Sequence, residues 1–206
     1  MQRVRVAEGE HAAIDAAVAV LRGGGVVAYP TDTLYGLAVD PRSDAAVQRL
    51  YEVKGRGLTT AIPLIAASLA QARQVAHFGR DELRLIKPFW PGPLSIVLPA
   101  TAAVSPRLLA GGRTIVVRVP NHPVAVARAE AFGSPITSTS ENPTGQPASD
   151  DPDVVEHTLG DRIDCLLDAG LAPGGLPSTI VEIRNGAAAM VRAGAIPWDR
   201  VLRSIE

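Results

Sequence analysis

The sequence is poorest in cysteine: Cys165 is the single one among 206 residues, so no disulfide can close within the chain. One thiol suits a reducing compartment. Set in Ile163-Asp164-Cys165-Leu166-Leu167, it reads as a small buried hydrophobe rather than a nucleophile. Lysine is nearly as scarce. Of the 20 basic residues only Lys54 and Lys87 are lysine, which leaves 18 arginines and makes each lysine a position worth noting. No apolar run approaches the ~18 residues that cross a bilayer, so no membrane span is predicted. A secretory leader is not predicted either, because Glu8 and Glu10 stand where one would be positive and Asp15 interrupts Ala12 to Leu21. The expected location is cytoplasmic. A net charge of −1 gives no global basic field to draw the chain onto nucleic acid, and leaves only a local patch for weak RNA binding.

Several chemical signatures are missing as well. His11, His77, His122 and His157 are scattered, and none stands at metal-ligand spacing from Cys165 or another histidine, so no protein-held metal is predicted. The run Gly23-Gly24-Gly25 is not followed by Gly-Lys-Ser/Thr and reads as a helix stop rather than a phosphate loop. Neither Gly-x-Ser-x-Gly nor Gly-x-Gly-x-x-Gly occurs, which leaves serine-hydrolase and dinucleotide chemistry unsupported.

What is present is an ordinary globular composition, 47% hydrophobic and 20% charged, long enough for one sizeable core. No linker, repeat or low-complexity stretch divides it, so a single domain over residues 1–206 is expected. The central stretch is Val26 to Asp40, VVAYPTDTLYGLAVD. Val26 to Tyr29 predicts a buried strand, Pro30 ends its ladder, and Thr31-Asp32-Thr33 sets three short polar side chains at its tip. Helices are predicted over Glu10–Arg22, Ala45–Lys54 with Ser43 as cap, Leu69–Ala76 with Ser68 as cap, Asp81–Lys87 and Pro123–Ala131. Asp151-Pro152 opens another, and Pro197–Arg203 closes the chain. Strands are predicted at Gln2–Ala7, Ile62–Ala67, Leu94–Leu98, Thr114–Arg118, Ile136–Ser140, Ile163–Leu167, Ser178–Ile183 and Ala187–Arg192. The alternation argues an α/β fold with helices on a mixed sheet.

Polar clusters fall at the ends of these elements: Thr31-Asp32-Thr33, Lys54-Gly55-Arg56, Ser138-Thr139-Ser140-Glu141-Asn142 and Ser178-Thr179, with Arg118 and Arg192 ending strands. Taken singly, each has an ordinary reading: a turn, a helix end whose cations offset the macrodipole, exposed hydroxyls, a solvated arginine. Taken together they suit an anionic ligand beyond strand ends. A lysine and an arginine two apart can flank a polyphosphate, hydroxyls serve phosphate and sugar oxygens, and Arg118 has the fork for a carboxylate.

In this order the clusters resemble the YrdC family of threonylcarbamoyl-AMP synthases. The matching stretches are PTDTLYGLAVD (30–40), KGR (54–56), KPFWPGPLSIVLPA (87–100), TIVVRVPNHP (114–123), ITSTSENPTGQPAS (136–149), PSTIVEI (177–183) and VRAGAI (191–196). The family's Lys-x-Arg and distant Ser-x-Asn are here Lys54, Arg56, Ser140 and Asn142. The resemblance implies a twisted mixed parallel and antiparallel sheet enclosing a large concave cavity. It also implies a reaction of L-threonine, bicarbonate and ATP with Mg²⁺, giving threonylcarbamoyl-AMP and diphosphate. A tRNA threonylcarbamoyl transferase would be the acceptor of that product.

By position, Thr33, Arg118, Ser138 and Ser178 match the threonine site, and Arg56, Thr114, Ser140, Asn142 and Arg192 the ATP site. Lys54 and Arg56 match the catalytic cations. Three departures stand out: a longer Gly57–Ile62 segment, Ala67 where many members have histidine, and Ala148 where a serine is usual. The length resembles the short, single-domain members. Two other readings stay open, a paralogue with a different substrate and an RNA-binding module using the same concave surface.

Overall fold

The computed structural model describes residues 1–55, 57, 60–140 and 148–205. Their strands form two mixed sheets. The first is built from β1 (Gln2–Arg5), β2 (Val27–Pro30), β3 (Tyr35–Ala38), β8 (Thr139–Ser140) and β9 (Cys165–Asp168), in the order β1-β9-β2-β3-β8. The second is built from β4 (Leu64–Ile65), β5 (Leu94–Pro99), β6 (Thr114–Arg118), β7 (Ile136–Thr137), β10 (Thr179–Arg184) and β11 (Ala187–Arg192), in the order β11-β10-β5-β6-β4-β7. Parallel pairs (β1 with β9, β9 with β2, β10 with β5, β4 with β6) alternate with antiparallel hairpins. The mixed α/β class is as the sequence predicts, with the strands divided between two sheets.

The helices are α1 (Glu10–Arg22), α2 (Asp44–Lys54), α3 (Leu69–Ala72), α4 (Arg80–Ile86), α5 (Pro123–Phe132), α6 (Pro152–Leu159) and α7 (Trp198–Arg203). The alternating strand pattern decides which face each covers. On the first sheet Val27, Tyr29, Ala38 and Leu167 point to α1 and α5, meeting Ile14, Val18, Leu21, Ala125 and Phe132. The opposite face, with Ala28, Leu37, Val39 and Leu166, meets α2 through Val47, Leu50 and Tyr51. The same cluster takes in Ile96, Leu98, Ile115 and Val117 of the second sheet. Burial of each such large aliphatic side chain contributes ~1.5–3 kcal/mol.

Several predicted strands come out differently, the first being Gln2–Ala7, which ends at Arg5 and turns into a 3-10 helix over Val6–Glu8. Residues 62–67 give only the two-residue β4, with Pro63 beside it lacking a donor for the ladder. Ile136–Ser140 splits: β7 belongs to the second sheet and β8 to the first, so the chain crosses between sheets at Ser138, whose amide donates to the Pro63 carbonyl at 2.7 Å. Pro30 lies within β2 opposite Tyr35, because β9 pairs only with Val27 and Ala28 and leaves Pro30 a neighbour on one side.

Candidate active site

The crossing at Ser138 opens a cavity of about 300 Å³ lined by strands of both sheets. Thr31, Thr33, Tyr35 and Gly36 come from the β2–β3 hairpin, and Ser138, Thr139 and Ser140 from the crossing segment. Ser95, Val116, Arg118, Ser178 and Arg192 come from the second sheet and the turns at its end. All four residues assigned by resemblance to threonine therefore face one cavity, together with Ser140 and Arg192 of the ATP set. Thr114 does not line it. This residue is exposed at the start of β6, and Arg118 at the other end of the same strand is the one that reaches the cavity. Arg56 and Asn142 lie outside the described residues.

Each polar wall is held by local bonds. Thr31 Oγ1 donates to the Leu34 carbonyl at 2.7 Å and accepts from the Thr33 amide at 3.2 Å, with the two hydroxyls 3.1 Å apart. Across the hairpin, Gly174 N–H donates to the Thr33 carbonyl at 2.7 Å and fixes that residue from outside the sheet. Ser178 and Ser95 share a hydrogen bond at 2.9 Å, both nearly buried. No motif marks Ser95 in the sequence, although it is the one polar side chain in Leu94–Leu98. Thr31 reads there only as part of the strand tip.

Cations occupy two regions. Lys54 ends α2 and is 2% exposed. Gly55 terminates that helix in the left-handed region (φ 61°), as a C-terminal glycine does at no steric cost. The Lys54 ammonium donates to the Ser140 carbonyl at 2.6 Å and to Ser140 Oγ at 3.3 Å. Arg192, on the edge strand β11, donates from Nη2 to the Ser178 carbonyl at 2.8 Å and to Ser178 Oγ at 3.2 Å.

Arg118 is nearly buried and lies 3.0 Å from Asp32, whose side chain is equally enclosed. That contact is close but misaligned, since neither Arg118 Nη1 nor Asp32 Oδ1 makes a hydrogen bond. Asp32 Oδ2 accepts the Asn121 amide at 3.2 Å. Desolvation, and then the charge of Arg118, lower the pKa of Arg192. The two guanidiniums therefore sense one another across the cavity.

One sequence reading away from the cavity holds. Cys165 is fully buried, and burial pushes its thiol up to about 11, which removes it as a nucleophile. Among the described residues no group of three or more His, Cys, Asp or Glu side chains gathers to hold a metal. No helix of those residues is long and apolar enough to cross a membrane.

The family model for Sua5/YciO/YrdC proteins, described as "Telomere recombination", matches residues 19–194. The chain belongs to this family. A Sua5/YciO/YrdC relative from Halorhodospira halophila, named threonylcarbamoyl-AMP synthase, is 45% identical over 175 residues, which is 83% of this chain and 90% of the relative. One of the same name from Bacillus subtilis is 34% identical over 187 residues, covering 90% of this chain but 54% of its own length. The chain thus spans about half of that longer relative. Pyrococcus abyssi Sua5 complexed with L-threonine superposes with a TM-score of 0.91 at 31% identity, over 99% of this chain and 60% of that one. Escherichia coli YciO superposes with a TM-score of 0.84 at 29% identity, over 94% of both chains.

Proposed function

We propose that this protein is an L-threonylcarbamoyladenylate synthase, a nucleotidyltransferase that joins L-threonine, bicarbonate and MgATP into threonylcarbamoyl-AMP and diphosphate. One observation carries the reading. Thr33, Arg118, Ser138 and Ser178, assigned to threonine from sequence position, converge on one cavity with Ser140 and Arg192 of the ATP set. The relatives' names and the threonine complex of the similar Sua5 support the same substrate.

The cavity suits the chemistry. Threonine's carboxylate would take the free donors of Arg118, and its hydroxyl the short Thr and Ser side chains. Bicarbonate gives up water to supply CO₂, the amine takes it up with loss of a proton to give a carbamate, and a carbamate oxygen attacks the α-phosphorus while diphosphate leaves. Charge builds on the phosphoryl oxygens and the leaving group, so positioned cations are the main catalytic device. Lys54 and Arg56 are proposed for that role, with Arg192, Ser140, Asn142 and Thr114 around the nucleotide.

The described residues offer no carboxylate cage for Mg²⁺. The ion would arrive with the triphosphate, held by phosphate oxygens and water. The product, a mixed anhydride, suits transfer to tRNA by a threonylcarbamoyl transferase, and a cytoplasmic location fits that partner.

The test is diphosphate release with each substrate omitted in turn. Release that needs ATP, threonine and bicarbonate together supports the reading. ATP turnover driven by another amino acid would favour a paralogue with a changed substrate.

A further inference from the structure

The two arginines that line the cavity among the described residues are not equivalent. Arg192 donates only to the carbonyl and hydroxyl of Ser178, both neutral groups. Arg118 faces Asp32 at 3.0 Å, and both side chains are about nine-tenths enclosed, at 7% and 10% exposure. Asp32 is not among the residues that line the cavity, whereas Arg118 is. The pair also joins the two sheets: Asp32 sits in the β2–β3 turn of the first, while Arg118 ends β6 of the second and the nearby Asn121 amide fixes Asp32 Oδ2. Because Arg118 Nη1 makes no hydrogen bond to Asp32, the carboxylate neutralises the guanidinium without saturating its donors.

The consequence is electrostatic. A cavity that takes both a triphosphate and an amino acid must keep the phosphates off the arginine meant for the carboxylate. Coulomb energy scales with the product of the charges, so cancelling a cation weakens its hold on a polyanion more than on a monoanion. A monoanionic carboxylate still gains the hydrogen bonds of the fork. We propose that Asp32 is a positioning residue that sets the ligand choice of Arg118, screening it from phosphate and reserving it for the α-carboxylate of the amino acid. This rests on the synthase reading for the identity of that amino acid. The screening itself does not.

The experiment compares wild type, Asp32→Asn and Asp32→Glu. Calorimetry with inorganic phosphate as probe needs no turnover. Phosphate should bind Asp32→Asn roughly tenfold more tightly than wild type, the order expected when one partly screened charge is uncovered. In the synthase assay phosphate should inhibit Asp32→Asn competitively with threonine, so its apparent threonine KM should rise several-fold as phosphate is added, and kcat at saturating threonine should stay close to wild type. Asp32→Glu, which keeps the charge, should bind phosphate as weakly as wild type. Equal phosphate affinity in wild type and Asp32→Asn, inhibition competitive with ATP alone, or tight phosphate binding by Asp32→Glu would overturn the proposal. Wild type that binds phosphate weakly but makes no adenylate would instead overturn the synthase reading, leaving the calorimetric comparison to decide the role of Asp32.

Discussion

Lys54 carries the heaviest demand at the scale of single residues. A buried ammonium is costly unless hydrogen-bonded, and here Ser140 accepts from it twice. Replacing Lys54 with alanine should lower adenylate formation by ~10²–10³, the size typical of losing one electrostatic stabiliser. Circular dichroism should remain that of the wild type. Turnover within threefold of wild type would remove Lys54 from the catalytic role.

His122 makes a different prediction. Burial lowers the pKa of its imidazole below the ordinary value of 6.5, Asp32 opposing and Arg128 adding to the effect. Its Nδ1 is buried with no hydrogen-bond partner. The folded state therefore binds a proton less readily than the unfolded chain. Stability that holds above pH ~6.5 should fall as the pH drops through it, because the unfolded state protonates first. Chemical denaturation at pH 7.5 and 5.5 should show a smaller loss for His122→Gln than for wild type. Equal losses would contradict this source of the pH dependence.

Elements deliver these residues to the cavity, and one glycine shows how tightly. A Cβ at Gly194 would lie 2.2 Å from the Pro177 carbonyl and 2.5 Å from the Ser178 carbonyl carbon, so the backbone after β11 must press onto the segment that carries Ser178. Gly194→Ala should cost ~1–3 kcal/mol through overpacking. It should also raise the threonine KM by displacing Ser178, and thermal melts with steady-state kinetics would measure both. An unchanged melting temperature would mean that the segment yields freely.

At this scale much was legible in the sequence. The bounds of α1, β6 and β11 follow from periodicity and β-branched runs, and Ser43 and Ser68 cap helices as their spacing predicts. The division of Ile136–Ser140 between two sheets was not legible, because the run alternates like one strand and only long-range pairing with β3 and β4 separates it. Thr33, Ser138 and Ser178 could be placed at strand ends. The Ser95–Ser178 bond and the Asp32–Arg118 pair could not, since each joins positions far apart in the chain.

The whole molecule has little net charge, −1, and sets Arg118 and Arg192 in the wall of one cavity. That arrangement suits a small polyanionic substrate better than extended RNA, whose binding needs many phosphate contacts. The measurement that tests this account most directly follows carbon from ¹³C-bicarbonate. The purified protein, given MgATP, L-threonine and labelled bicarbonate, should yield an adenylate whose mass contains threonine, AMP and one labelled carbonyl, with diphosphate in equal amount. The label should be absent when threonine is replaced by alanine. Diphosphate formed without label in the adenylate, or label captured equally with any amino acid, would contradict the central claim.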